Sequence, residues 1–207
     1  MWYKLKRIMM RPNGVEKQVR PSRFEYSYDF RNKTVAQAEA DWWVMNGNNY
    51  FDSNGYYCAN QNYSMSKSFD FSKASKITIT SNMYIYGWSW TNWCYISLSS
   101  WDKYAEGAAR WENNNWYRWV YIICDTWWEV VRTNQYAISG DTVFVMEIDM
   151  NTRVITVTAT NQWNTQTWTY TLQQATIDGI KTATAHLDVQ TRTNTNHRIK
   201  DIHMVIE

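Results

Sequence analysis

Glu147 and Asp149, two positions apart in "DTVFVMEIDM", are a candidate carboxylate pair in this chain of 207 residues. Glycoside cleavage needs two carboxyl groups about 5 to 10 Å apart across a groove, and alternation along a strand puts these two on one face. The other face carries Phe144, Met146 and Ile148, so the acids are expected to look outward into solvent. His186, His197 and His203 show neither HxH nor HExxH spacing, so no zinc site is expected. No GxSxG, phosphate-loop or dinucleotide-binding glycine pattern occurs, and seven glycines leave little room for one. Cys58, Cys94 and Cys124 are odd in number and not closely spaced; they are expected as reduced thiols rather than metal ligands. The expectation is a protein without catalytic residues, metal or cofactor.

The aromatic residues are the second source of chemistry. Fourteen Trp and fifteen Tyr with only 19% charged residues argue against disorder and for a large amount of amphipathic surface or core. In "GWSWTNW", Trp88 and Trp90 share a parity and Trp93 has the other; in "ICDTWWEV", the adjacent Trp127 and Trp128 must face opposite ways if extended. Trp116 in "ENNNWYRW" and Trp163 in "NQWNTQTW" stand among Asn and Gln in expected loops. Indoles so placed fit a stacking platform for sugar rings, a subunit interface or the core itself. The full set is too large for one interior at about 150 to 250 Å² per buried ring. A homo-oligomer, most simply a trimer, is therefore expected, with Trp from "GWSWTNW" or "TWWEV" at the contact.

The third source is charge. The first 33 residues hold nine Lys/Arg against three acids, a net +6, and the chain's overall +2 leaves −4 for the other 174. Within this stretch lie Lys4, Lys6, Arg7, Arg11, Lys17, Arg20 and Arg23, and both prolines of the chain, Pro12 and Pro21. Proline lacks an N–H and disfavours helix in the residue before it, so residues 1–33 are expected as an extended arm. A basic arm can neutralise packaged nucleic acid. Here, however, Glu16, Glu25, Leu5, Ile8, Met9, Met10, Val15 and Val19 interrupt the charge, which fits docking on an acidic, partly apolar protein groove better.

Residues 34–207 must position the aromatics, and they read as strands. In "KITITSNMYIYGW", Ile77, Ile79, Met83 and Ile85 share a face; "DTVFVMEIDM" and "RVITVTAT" repeat the alternation across an "NT" turn as a hairpin. Further strands are expected at "WCYISLS", "WYRWVYIIC", "EVVRT", "TWTYTL", "TAHLDVQT" and "HRIKDIHMVIE". Two short helices are expected at "TVAQAEADWWV" and "LQQATIDG", the second ended by Gly179. Many strands with polar turns mean an all-β, antiparallel β-sandwich or jelly roll. No run of about 18 apolar residues occurs, and the start lacks a secretory signal pattern, so folding in a cytosol without membrane insertion is expected.

The opening "YKLKRIMMRPNGVEKQVRPS" resembles the short N-terminal leaders of small virion proteins of tailed bacteriophages. The series "SKSFDFSKASKITITSNMYIYGW", "DTVFVMEIDMNTRVITVTAT" and closing "HRIKDIHMVIE" is similar to the concanavalin-like (legume lectin or laminin-G-like) jelly roll, over roughly residues 35 to 207. In that family the first and last strands lie side by side. The resemblance implies a structural or decoration protein of a bacteriophage virion, folded in the host cytoplasm. Its arm would be docked on a capsid or tail protein and its adhesive sandwich would face outward. Alternatives are a carbohydrate- or receptor-binding module of a tail or fibre, with a cell-surface glycan as partner, and a shell-forming capsid protein with a nucleic-acid-binding arm. Legume-type lectins hold calcium in an acid-rich loop, which "YFDSNGYY" (Asp52, Asn54) and "DMNTR" (Asp149, Asn151) do not reproduce.

Overall fold

A computed structural model describes residues 23–58, 64–85, 92–100, 103–112, 117–124, 129–132, 140–192 and 197–207. Two antiparallel sheets face each other. In the first, β6 (Lys76–Ile85) is central, flanked on one side by β11 (Gly140–Asp149), β12 (Val154–Thr160) and β13 (Thr165–Thr171). On its other side lie β15 (Arg198–Ile199) and β16 (Asp201–Ile206); β15 leads to the hairpin of β3 (Asn49–Asp52) and β4 (Gly55–Cys58), and β16 to β1 (Phe24–Asp29). The second sheet runs β10 (Glu129–Arg132), β9 (Tyr117–Cys124), β8 (Lys103–Glu112), β7 (Asn92–Ser100), β14 (Ala185–Arg192), β5 (Ser64–Phe69), β2 (Val44–Asn46). The all-β sandwich read from the alternation is thus the observed fold.

The pattern of two decides which atoms meet between the sheets. Ile77, Ile79, Met83 and Ile85 are buried on one face of β6, and Phe144, Met146 and Ile148 of β11 line up beside them in register. Ser81 shares that buried face, and its hydroxyl donates to the Asp201 carbonyl at 2.6 Å, so its burial leaves no donor unmatched. Opposite, β8 presents Ala105 and Gly107. A Cβ on Gly107 would lie 2.7 Å from Val157 and 3.0 Å from Phe144; glycine is what lets the sheets close at this point. Its strand "KYAEGAARWE" has weak strand propensity and is absent from the expected set, because small residues are chosen here by packing rather than preference.

Four further expectations are corrected. The "HRIKDIHMVIE" segment is two strands: Ile199 pairs with Met83 but His203 pairs with Thr80, a slip of one residue at Lys200, which is a bulge. Gly179 does not end the second helix, α2 (Gln174–Ile180), which is capped at Lys181; a Cβ there would meet the Lys103 Cβ at 2.6 Å, so close approach explains the glycine. The boundary at residue 33 falls inside the sandwich. Phe24 through Asp29 pair residue by residue with Ile206 through Asp201, and Phe30 is fully buried; the aromatic alternation of "FEYSYDF" outweighs the basic flank. The first helix, α1 (Val35–Ala40), begins at a Thr34–Gln37 capping box but ends at Ala40, so Asp41, Trp42 and Trp43 lie beyond it.

Candidate functional site

At the open flank of the sandwich, β1 of the first sheet and β5 of the second bound a groove with a volume of about 1180 Å³, roofed by the segment that follows α1. Alternation along β1 turns Phe24, Tyr26 and Tyr28 to the same side, into this groove. The Tyr26 and Tyr28 rings stack at 6.4 Å and 6°. Phe69 of β5 meets the Tyr26 ring edge-on at 5.0 Å, and Trp43 packs on Tyr28 at 5.6 Å. The groove is therefore an aromatic continuation of the core that opens to solvent.

Its polar groups converge on Asp41. Lys33 reaches the Asp41 carboxylate at 3.8 Å and lies 5.0 Å over the Tyr28 ring. Lys67 donates from Nζ to the Asp41 carbonyl and lies 5.5 Å over the Tyr26 ring. Burial raises both phenols well above the usual tyrosine value; for Tyr28 the neighbouring Asp41 carboxylate adds to this, while for Tyr26 the Trp43 indole works the other way. Both therefore stay protonated donors. Yet neither the Tyr26 nor the Tyr28 hydroxyl, nor the Trp43 Nε1–H, meets hydrogen-bond geometry with a partner, although all three atoms are buried. An unmatched buried donor costs about 1 to 3 kcal/mol; the Trp43 indole beside Tyr26 and the Asp41 carboxylate beside Tyr28 relieve part of that cost here.

Trp42 stands at the groove mouth with 81% of its surface exposed and with φ at +68°. A bulky side chain in the left-handed region is strained, and such strain concentrates at binding and catalytic sites. Neither Trp42 nor any other groove residue is among those singled out from the sequence. The adjacent pair in "DWWV" is the one sequence signal for it: Trp43 is 2% exposed and Trp42 faces out, separated by the turn at Trp42.

The residues that were singled out lie elsewhere. Trp163 is exposed, at 78%, on the β12–β13 turn, where Asn161 Oδ1 accepts from the backbone of Trp163 at 2.9 Å and Asn164 at 2.8 Å; it does not line the groove. Trp93 sits on β7, paired with Arg110 and Arg192. Trp88, Trp90, Trp116, Trp127 and Trp128 lie outside the described residues, as do Lys4, Lys6, Arg7, Arg11, Pro12, Lys17, Arg20 and Pro21 of the arm. Arg23 pairs with Glu25 at 2.8 Å on the surface.

Glu147 and Asp149 face outward, each with a local task. Glu147 pairs with Lys76 at 2.6 Å. Asp149 accepts from the backbones of Asn151 and Thr152, both at 2.8 Å, and these bonds hold its carboxyl below the usual range. His186 bonds Ser68 within one sheet and His203 bonds Ser27 in the other. No group of three metal-binding side chains gathers among the described residues. The residues of "YFDSNGYY" do not fit a calcium ion: the Asp52 carboxylate receives Nε and Nη2 of Arg198 at 2.9 and 2.7 Å, a cation already in place. Cys58, Cys94 and Cys124 are buried thiols, and no described helix is long and apolar enough to cross a membrane.

No protein-family model matches the chain, and no curated protein matches it in sequence. Solved structures share its fold. A peanut lectin bound to a nine-residue peptide superposes with a TM-score of 0.66 at 9% identity, covering 90% of this chain and 98% of the lectin. Lectin II from Ulex europaeus gives 0.64 at 8% identity, covering 87% and 97%. The CBM2 module of an evolved Dit of Lactobacillus casei BL23 phage J-1 gives 0.58 at 11%, covering 91% and 92%. The sandwich is thus a legume-lectin-like, concanavalin-type jelly roll.

Proposed function

We propose that this chain is a non-catalytic, carbohydrate-binding β-sandwich that acts as an adhesive module. The observation that carries the reading is the open groove walled by Phe24, Tyr26, Tyr28, Phe69 and Trp42, with Lys33, Asp41, Lys67 and Ser68 as the polar groups among them. Aromatic faces stack on the C–H faces of sugars while hydroxyls and amides take their polar edges. Its volume of about 1180 Å³ and its open side suit a chain of sugar units rather than a small metabolite. The lectin-like fold is in keeping with this use, although fold alone does not assign function. The Asp52 carboxylate, already held by Arg198, favours recognition that needs no metal at that loop. The test is a glycan array probed with the full chain in chelator-containing buffer. Retention of one or more glycans is expected, and no binding with or without added calcium overturns the reading.

A second reading concerns where the module is carried. The +6 charge of the first 33 residues and the phage origin of one solved structure of the same fold favour a virion component docked through its arm on a capsid or tail protein. Because the sheet begins at Phe24, deletion of residues 1–22 is expected to leave a cooperatively folding sandwich that no longer joins the particle. Incorporation of the truncated chain at the normal copy number overturns this reading.

A further inference from the structure

We infer that this chain forms a two-fold dimer by antiparallel pairing of β13 with β13 of a second copy, at the end of the first sheet remote from the groove. β13 pairs with β12 alone and closes its sheet on that side. The ladder fixes which of its backbone groups are free. Asn161 N–H donates to the Asn164 carbonyl at 2.9 Å and Leu172 N–H to the Arg153 carbonyl at 2.7 Å, so alternation gives the bonds towards β12 to Gln166, Trp168 and Tyr170. The N–H and C=O groups of Thr165, Thr167, Thr169 and Thr171 then point away from β12, where no described strand lies. All four threonines are exposed.

A free edge is ordinarily blocked by charge, proline, a bulge or shortness. The other edges of the described sheets carry such devices: Glu25 and Asp29 on β1, Asp52 on β3, Glu129 and Arg132 on β10, and a length of three residues for β2. β13, "TQTWTYT", has none of them over seven residues, and its register with β12 runs without a slip. It is also nearly its own reverse. Centred on Trp168, antiparallel pairing sets threonine against threonine on the outer face and Trp168 against the second copy's Trp168 on the inner one, with no charge opposing its like. Threonine pairs of this kind already join β12 and β13, Thr158 with Thr167 at 3.0 Å and Thr160 with Thr165 at 3.1 Å. Trp168 lies beside the fully buried Val157, yet 36% of its surface is open because no strand follows it. A second indole whose Cα lies about 4.5 Å away covers that surface. The same register brings the exposed Trp163 of the β12–β13 turn to the start of the second copy's α2, which widens the contact beyond the strands. One such edge per copy closes the assembly at two, in place of the trimer expected from the aromatic content.

The test is sedimentation velocity of the full chain at micromolar concentration, where a dimer is expected. Thr169→Pro removes an edge donor without touching a bond to β12, and should raise the dimer dissociation constant about tenfold or more. Trp168→Cys should give a disulfide-linked dimer on mild oxidation, because this register alone sets residue 168 against itself within disulfide reach. Thr165→Cys should stay unlinked, and the native cysteines are buried. A wild-type trimer overturns the proposal, as does a wild-type monomer, which would leave the edge to a strand of a different protein. A folded Thr169→Pro protein that dimerises as tightly as wild type overturns it too, and so does linkage of Thr165→Cys in place of Trp168→Cys. If Thr169→Pro does not fold, the two cysteine variants decide alone.

Discussion

The centre of the sandwich and its β1 flank are built from the same kinds of residue and reach opposite ends. Around β6 and β11, each inward side chain is either apolar or matched, as Ser81 is by the Asp201 carbonyl, and Gly107 removes the last obstruction to contact. At the flank, aromatic rings pack equally closely, but three buried polar atoms on Tyr26, Tyr28 and Trp43 have no hydrogen-bond partner. Trp42 beside them holds a strained backbone. Left-handed residues and unmatched atoms occur elsewhere too, at Arg153 in the β11–β12 turn and at Thr176 and Thr182, but only the flank gathers them beside an exposed tryptophan and an open groove.

Truncating the centre should cost the most. Phe144 is fully buried between the sheets, against the position of Gly107, and Phe144→Ala is expected to lose about 3 to 5 kcal/mol by the methylenes removed and the cavity left. Phe24 at the flank is 40% exposed, and Phe24→Ala should lose under about 1 kcal/mol. Urea unfolding of both variants measures the contrast. Equal losses would show that the flank is as much core as the centre.

Acid should find the interior next. Burial, and secondarily Arg198, hold His197 at about 4 against the ordinary 6.5. Above pH 6.5 the ring is neutral whether the chain is folded or not, and its contribution is fully present. As the pH falls from 6.5 towards 4, the unfolded chain takes up a proton that the folded one refuses, and stability should fall by about 3 kcal/mol across that window. Denaturant midpoints measured at pH 7, 5.5 and 4.5 give the slope, and His197→Asn should flatten it. An unchanged slope in that variant would place the acid sensitivity elsewhere.

The centre was legible in the sequence because period two is a local signal. Ile77, Ile79, Met83 and Ile85 declare their face within nine residues, and the β11–β12 hairpin is visible in the same way. The flank was not. Its lining comes from Tyr26 and Tyr28, Asp41 and Trp42, Lys67 and Phe69, and Ile206, segments that meet only because β1 pairs with the terminal strand β16. The net charge of residues 1–33 masked β1, and an expected helix covered Trp42. Only the adjacent tryptophans of "DWWV" offered a local clue, since two neighbouring indoles seldom point into the same interior, although here a left-handed turn at Trp42 and not strand alternation separates them.

The smallest expected effect separates the two regions most directly. Trp42 occupies φ +68° with its indole in solvent, so the folded state gains little from its side chain and bears the cost of a left-handed bulky residue, about 1 kcal/mol. Trp42→Gly removes that strain, and glycine also has more freedom to lose on folding, which offsets part of the gain. The net expectation is a stability equal to wild type or higher by up to about 1 kcal/mol, together with weaker glycan binding. Every comparable change at the centre should destabilise. Thermal unfolding of Trp42→Gly beside calorimetric titration of the same preparation checks both halves. A clear loss of stability would mean that the Trp42 ring braces the turn after α1, and the contrast between a centre built for stability and a flank built for a ligand would fail at its sharpest point.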